Sequence, residues 1–243
     1  MKMWRRLVWG LVPVFLFALW VSLRGSMVPV SSELQLELPP GQKLVALTFD
    51  DGPHPEHTGT LLDGLAERGV KATFFLVGSQ LDYAPKLVER IAREGHQIGV
   101  HTLDHVPVEG LEQEEFLHQV EGMRREIYEL IGDRELWLRP PYGQTDDNTA
   151  RWADSPVILW SVDPEDWRDT DPERVAGHIV QNTRDGDIIL AHDIYASTVE
   201  GVLKAVDRLR EQGFAFVTVE RLLELRGITP VSGQIYRCAP KRY

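Results

Sequence analysis

Apolar residues change their spacing several times along this chain, and each change marks an element. Residues 7–23, LVWGLVPVFLFALWVSL, are apolar throughout and carry no charge. A run with no polar face suits a helix surrounded by lipid better than one half-exposed to water. From residue 43 the runs shorten. KLVALTF at 43–49, KATFFLV at 71–77, QIGV at 97–100, DIILA at 187–191 and FAFVTV at 214–219 read as strands, with shorter candidates at 135–138 and 156–160. Helical spacing appears between them. Leu61, Leu62 and Leu65 fall on one side of a helix over 57–68, and Leu81, Leu87, Val88 and Ile91 on one side of another over 80–93. Further helices are predicted at 112–131, 172–182 and 198–212. Strands alternating with helices in this way predict an α/β fold with a parallel sheet. No internal repeat or low-complexity tract interrupts the pattern.

The N-terminal run follows Lys2, Arg5 and Arg6, and only Arg24 lies just beyond it. Positive residues ahead of an apolar run mark a signal or anchor sequence, and the bias keeps the N-terminus cytoplasmic. Seventeen residues in a helix span roughly 25 Å, at the short limit for a bilayer. Trp4, Trp9 and Trp20 suit its two interfaces. A small-x-small cleavage pattern is poor after the run, so an uncleaved anchor is expected, with a cleaved signal as the alternative. Both export the rest of the chain. Residues 25–41, ending in Pro39-Pro40-Gly41, read as a linker.

Charge narrows the partners. The chain has 26 Lys plus Arg and 37 Asp plus Glu. Four of the bases and none of the acids lie in residues 1–32, so the exported body carries −15. Such a surface is a poor match for a phosphate backbone, and no nucleic-acid partner is expected. Nothing in the chain points to a protein partner. Cys238 is the sole cysteine, which excludes an internal disulfide and any cysteine-based zinc knuckle. A metal, if held, must be held by histidines and carboxylates.

Five polar clusters follow predicted strands. Thr48-Phe49-Asp50-Asp51-Gly52-Pro53 closes the first. Successive side chains on a strand point to opposite faces, so Asp50 and Asp51 share one pocket only if the chain turns at that point, and Gly52-Pro53 supplies a turn. A plain solvated turn has the same composition. His101 and His105 follow QIGV four residues apart. One helical turn places such a pair on one side, where two imidazoles and a carboxylate make a metal site with open positions. Arg139-Pro140-Pro141-Tyr142 is a stiff loop, Asp163-Pro164-Glu165-Asp166-Trp167 an acidic one, and Leu190-Ala191-His192 a strand end. The C-terminal ends of parallel strands are where such folds place their sites.

Together these clusters resemble the motifs of the polysaccharide deacetylase family, the NodB-homology carbohydrate esterases. TFDDGP, HTLDH, RPPY, DPEDW and LAH occur in the family's order over residues 48–192, and the similarity continues through VTVERLLEL at 217–225. The resemblance implies a distorted (β/α) barrel of about seven parallel strands over a catalytic domain at 42–226. Residues 1–24 are then the apolar leader, and 227–243 a tail of unassigned role. It implies a divalent metal, usually zinc or cobalt, on Asp51, His101 and His105. It makes Asp50 the general base and Arg139 its partner, with His192 the general acid and Asp166 the carboxylate beside it. Tyr142 would offer its backbone N–H to the substrate oxygen, and Trp167 and Leu190 would wall the acetyl group. The implied activity is removal of N-acetyl groups from N-acetylglucosamine in an extracytoplasmic glycan, with peptidoglycan the leading substrate. A small cyclic amide or acetyl ester on the same site, and a non-catalytic glycan-binding domain, are the alternative readings.

Overall fold

The computed structural model describes Pro39 and residues 41–240. The apolar run at 7–23 and the linker up to Leu38 lie outside these residues. Among the described residues, no helix is long and apolar enough to cross a membrane.

Strand β1 (Lys43–Asp50) leads to helix α1 (His57–Glu67) and strand β2 (Thr73–Leu76). A short α2 (Gly78–Leu81) and α3 (Pro85–Arg93) precede β3 (Gln97–Val100). The long α4 (Gln113–Ile131) is followed by β4 (Trp137–Leu138), a 3₁₀ turn at Pro141–Gly143, α5 (Asp147–Trp152) and β5 (Val157–Ile158). Then come α6 (Pro172–Asn182), β6 (Ile188–His192), α7 (Ala196–Glu211), β7 (Phe214–Val217), α8 (Val219–Leu225) and β8 (Ile235–Tyr236). Local chemistry sets several of these starts. Pro85 and Pro172 occupy first-turn positions, Asp171 accepts the Glu173 N–H, and Thr218 accepts the Arg221 N–H.

All eight strands belong to one sheet, ordered β6-β1-β2-β3-β4-β5-β8, and every pairing is parallel. β1 is central and is used twice on one edge. Its first half, Lys43–Ala46, pairs with β7, and its second half, Ala46–Asp50, pairs with β6. The sheet curls into an incomplete barrel whose two ends are joined by bridges, Val162 to Ile189 and Asp187 to Cys238. β1 is buried from Leu44 to Asp50, which explains why it reads as an unbroken apolar run. Val45, Leu47 and Phe49 face the helices and join Leu61, Leu62, Leu65, Phe74, Val202 and Val206 in the core. Thr48 and Asp50, alternating with them, face the barrel interior.

Each of the seven predicted strands forms, with β4 and β5 cut to two residues each, and so do four of the five predicted helices; the helix expected over 80–93 is broken by a turn at 82–84 into α2 and α3, with Pro85 opening the second. The unassigned segment after Leu225 adds an eighth strand. There Val157 N–H donates to Gln234 O (2.9 Å) and Leu159 N–H to Tyr236 O (2.8 Å), while Ala239 N–H donates to Gly186 O (2.7 Å). The segment therefore spans from β5 to the chain just before β6. Gly186 is required there, because a Cβ would lie 2.3 Å from the Ala239 carbonyl oxygen and φ is +95°.

Candidate metal centre and active site

The five clusters converge on one cleft of about 500 Å³. Asp50, Asp51, His101, His105, Tyr142, Trp167, Leu190 and His192 line it, together with Trp160, Asp163 and Tyr195. Arg139 and Asp166 lie behind the wall, buried at 0% and 2% exposure.

The two aspartates reach the same space because strand alternation stops at Asp51, which adopts φ +72°. Gly52 permits the close approach beneath them, since a Cβ there would fall 2.4 Å from Asp193 Oδ1. The histidine pair is built differently from the expected helical turn. Residues 101–105 form a loop, with Thr102 at φ +67° and His105 at φ +54°. Spacing alone cannot separate the two geometries, because a loop with two left-handed residues also brings side chains four apart together. Asp51 Oδ1 lies 3.1 Å from His105 Nε2 and 3.5 Å from His101 Nε2.

These residues fit a divalent cation. One ligand atom from each of Asp51, His101 and His105 lies within 4.8 Å of the others. His101 Nδ1 is 2.6 Å from the Arg139 carbonyl oxygen, which can only accept, so Nδ1 carries the proton. Burial lowers the His101 pKa despite Asp50 and Asp51, which favours the neutral ring. Its Nε2 then holds a lone pair facing Asp51 Oδ1 and, at 3.7 Å, Asp50 Oδ2. Lone pairs and carboxylates repel unless a cation stands among them. Asp51 Oδ1 is also buried without a hydrogen-bond partner. Burial pushes Asp51 up, but the His105, His101 and His192 rings outweigh it and hold the group below its usual value, as a ligand carboxylate requires.

On one side of this centre Arg139 grips Asp50. Its Nη1 donates to Asp50 Oδ1 (2.8 Å) and to Thr48 Oγ1 (2.6 Å), its Nε to Ile158 O and its Nη2 to Leu159 O (both 3.1 Å). On the other side Asp166 grips His192. Asp166 Oδ1 lies 2.8 Å from His192 Nδ1, while Oδ2 accepts the His192 N–H and the Thr198 hydroxyl, each at 2.8 Å. Burial alone would lower the His192 pKa. The bond and charge of Asp166, helped by Asp50 and Asp51, raise it to about 9. Tyr142 sits at φ +61° with its ring 4.9 Å from that of His105, and it and Trp167 are exposed at the cleft mouth. Leu190 is buried in the cleft wall.

Thr48, Trp160, Asp193, Tyr195 and Thr198 also belong to the site but carry no signal in the five motifs that marks them as functional. Thr48 was legible in principle, because it lies two residues before Asp50 and so on the same strand face. Asp193 had no such signal. Burial raises its pKa to about 7 against the opposing bond from the Thr58 hydroxyl, and that depends on packing between β6 and α1.

The family model described as polysaccharide deacetylase matches residues 37–155. The chain is 37% identical over 187 residues to the peptidoglycan-N-acetylmuramic acid deacetylase PdaC of Bacillus subtilis, covering 77% of this chain and 40% of that protein. It is 36% identical over 198 residues to a peptidoglycan-N-acetylglucosamine deacetylase of Bacillus cereus, covering 78% and 92%. Its fold matches a family 4 acetyl xylan esterase from Clostridium thermocellum, solved with a cobalt ion. There the TM-score is 0.77 and the identity 30%, over 82% of this chain and all of that one. An incomplete parallel barrel with a two-histidine, one-carboxylate centre at its strand ends defines the class. The chain belongs to the polysaccharide deacetylase family. It spans about two fifths of the length of the first curated relatives it matches.

The Asp166–His192 pair gives a direct test of the site's electrostatics. The folded pKa of about 9 lies above the usual 6.5, so the pair stabilises the fold fully below pH 6.5 and loses this as pH rises through 9. In Asp166→Asn the raising charge is gone and burial dominates. NMR titration of the His192 ring in metal-free protein should move from near 9 to 6.5 or lower. A titration unchanged by the substitution would contradict the assignment of Asp166 as the cause.

Proposed function

We propose that this chain is a metal-dependent hydrolase that removes N-acetyl groups from N-acetylglucosamine units of peptidoglycan. One observation carries the reading. Two candidate proton-handling groups with opposite partners, Asp50 on a guanidinium and His192 on a carboxylate, flank the cluster of Asp51, His101 and His105 in a single cleft. Relatives named as peptidoglycan deacetylases support the substrate, and the acidic composition of residues 33–243 and the apolar leader expected from the sequence are consistent with it.

A divalent cation on Asp51, His101 and His105, zinc in this reading with cobalt suited to the same donors, would supply Lewis acidity toward water and the acetamide carbonyl. The chain's own residues do the rest. Arg139 occupies Asp50 Oδ1, leaving Oδ2 to take a proton from the attacking water. The Tyr142 backbone N–H meets the charge that develops on the carbonyl oxygen. Trp167 and Leu190 enclose the acetyl methyl group. His192, with Nδ1 held by Asp166, gives the Nε2 proton to the departing amine as the C–N bond breaks, so the products are acetate and a free amino sugar. Separation of base from acid comes from environment, each group being paired with the charge its role requires.

Substitutions separate these roles. His105→Ala should lose bound metal and activity together. Asp50→Asn should keep stoichiometric metal while the rate of acetate release falls by roughly 10²–10⁴. His192→Ala should also keep metal, with a larger loss on acetamides than on activated acetyl esters, since only the amine needs the proton. Elemental analysis alongside acetate assays reads all three. Normal metal and turnover in His105→Ala would sink the triad, and equal losses on both substrate types would remove the acid role of His192.

We further propose that residues 7–23 remain as an uncleaved anchor and that residues 25–41 tether the enzyme within about 60 Å of the membrane face. Full-length chain should then fractionate with membranes. Recovery as soluble exported protein beginning near Glu33 would show cleavage and remove the reach.

A further inference from the structure

The loop joining the two histidines must be held from outside. Thr102 and His105 both lie at positive φ, a region that residues with side chains occupy only where their surroundings impose it. One side of the clamp is the start of α2. Gly78 N–H donates to Thr102 O (3.1 Å) and Ser79 N–H to Leu103 O (2.8 Å). The other side is α4. The Leu103 side chain sits between Gly78 and Gly122, where added Cβ atoms would lie 2.8 Å and 2.6 Å from it.

Gln119, on α4 and only 2% exposed, completes the clamp. Its backbone oxygen accepts the Leu103 N–H at 3.1 Å. Its side-chain Oε1 accepts from Leu103 N–H and Asp104 N–H, each at 3.1 Å. Its Nε2 donates to Asp104 Oδ2 (2.9 Å) and Glu115 Oε1 (3.0 Å). Two N–H donors face the oxygen and two carboxylates face the nitrogen, so one amide orientation satisfies all of them and the flipped one satisfies none. The whole hydrogen-bonding capacity of a buried amide is spent on this loop and the helix turn beside it.

We propose that Gln119 is a positioning residue of the metal centre. It fixes the backbone at 103–104, and thereby the approach of His101 and His105, so that both Nε2 atoms meet Asp51 Oδ1. Position 119 lies in none of the five motifs, and its side chain makes no hydrogen bond to a ligand side chain. The inference rests on Asp51, His101 and His105 being the metal ligands.

Gln119→Met keeps the length and removes every side-chain hydrogen bond. Gln119→Glu keeps an acceptor for the two N–H groups but sets a third carboxylate against Asp104 and Glu115. Adding Asp104→Asn to Gln119→Glu restores a donor to that pair. The readouts are the zinc Kd from chelator competition and the visible spectrum of the cobalt-loaded protein. Circular dichroism checks the apo fold. Gln119→Met should weaken zinc binding about 10–100-fold and alter the cobalt bands while the apo fold persists. Gln119→Glu should weaken zinc binding similarly, with partial recovery in the double variant. A wild-type Kd and spectrum in Gln119→Met would overturn the proposal. Should Gln119→Met not fold, an unchanged Kd in Gln119→Glu would overturn it equally. Wild-type protein that binds no zinc would instead overturn the ligand assignment beneath it.

Discussion

A guanidinium sealed from water organises this site. Arg139 has no exposed surface, and burying a charge is tolerable only when it is paired and its hydrogen bonds are met. Here Asp50 supplies the opposite charge, and Thr48, Ile158 and Leu159 accept three more of its five N–H groups. The pair therefore ties the end of β1 to β5 across the barrel interior. Its ring neighbours add to the enclosure, with the guanidinium carbon 4.1 Å from the Phe75 ring centroid. The same residue acts a second time through its backbone, because its carbonyl accepts from His101 Nδ1 and so turns Nε2 toward Asp51. One position thus orients both the proposed base and a proposed ligand.

The cleft built on this pair is polar at its floor and aromatic at its mouth. Tyr142, Trp167 and Tyr195 keep part of their rings in water, while Asp50, His101 and Asp166 are buried below. That division suits a substrate with a broad sugar face and one small acyl group to be reached inside. The charge arrangement is equally divided, with a cation behind Asp50 and an anion behind His192. Each side chain is thereby held in one orientation by its partner.

Much of this was legible in the chain. The apolar run at 43–49 reported a strand, which the structure buries on both faces, and Asp50-Asp51-Gly52-Pro53 reported a turn at its end. All five clusters stood just after strands, as a parallel sheet with its site at one rim requires. What escaped was non-local. The His101–His105 spacing suggested a helical turn, whereas the residues form a loop whose left-handed geometry is imposed by Gly78, Gly122 and Gln119 from two other elements. β8 escaped because Ile235-Tyr236 is too short to show a period and forms only against β5. Gln119 looked like any polar residue on the long α4, since nothing along the sequence tells which face of a helix meets a loop sixteen residues earlier.

Hydrolysis of the N-acetyl amide of a wall sugar in this cleft would leave a fixed product stoichiometry. Zinc-loaded protein would be incubated with peptidoglycan, and released acetate measured against new free amino groups on glucosamine after digestion of the glycan. Acetate and glucosamine amine should appear in equal amounts, with neither formed by the protein stripped of metal. Acetate without new amine would mean ester cleavage, and absence of both with metal bound would rule out deacetylation of this glycan by the cleft.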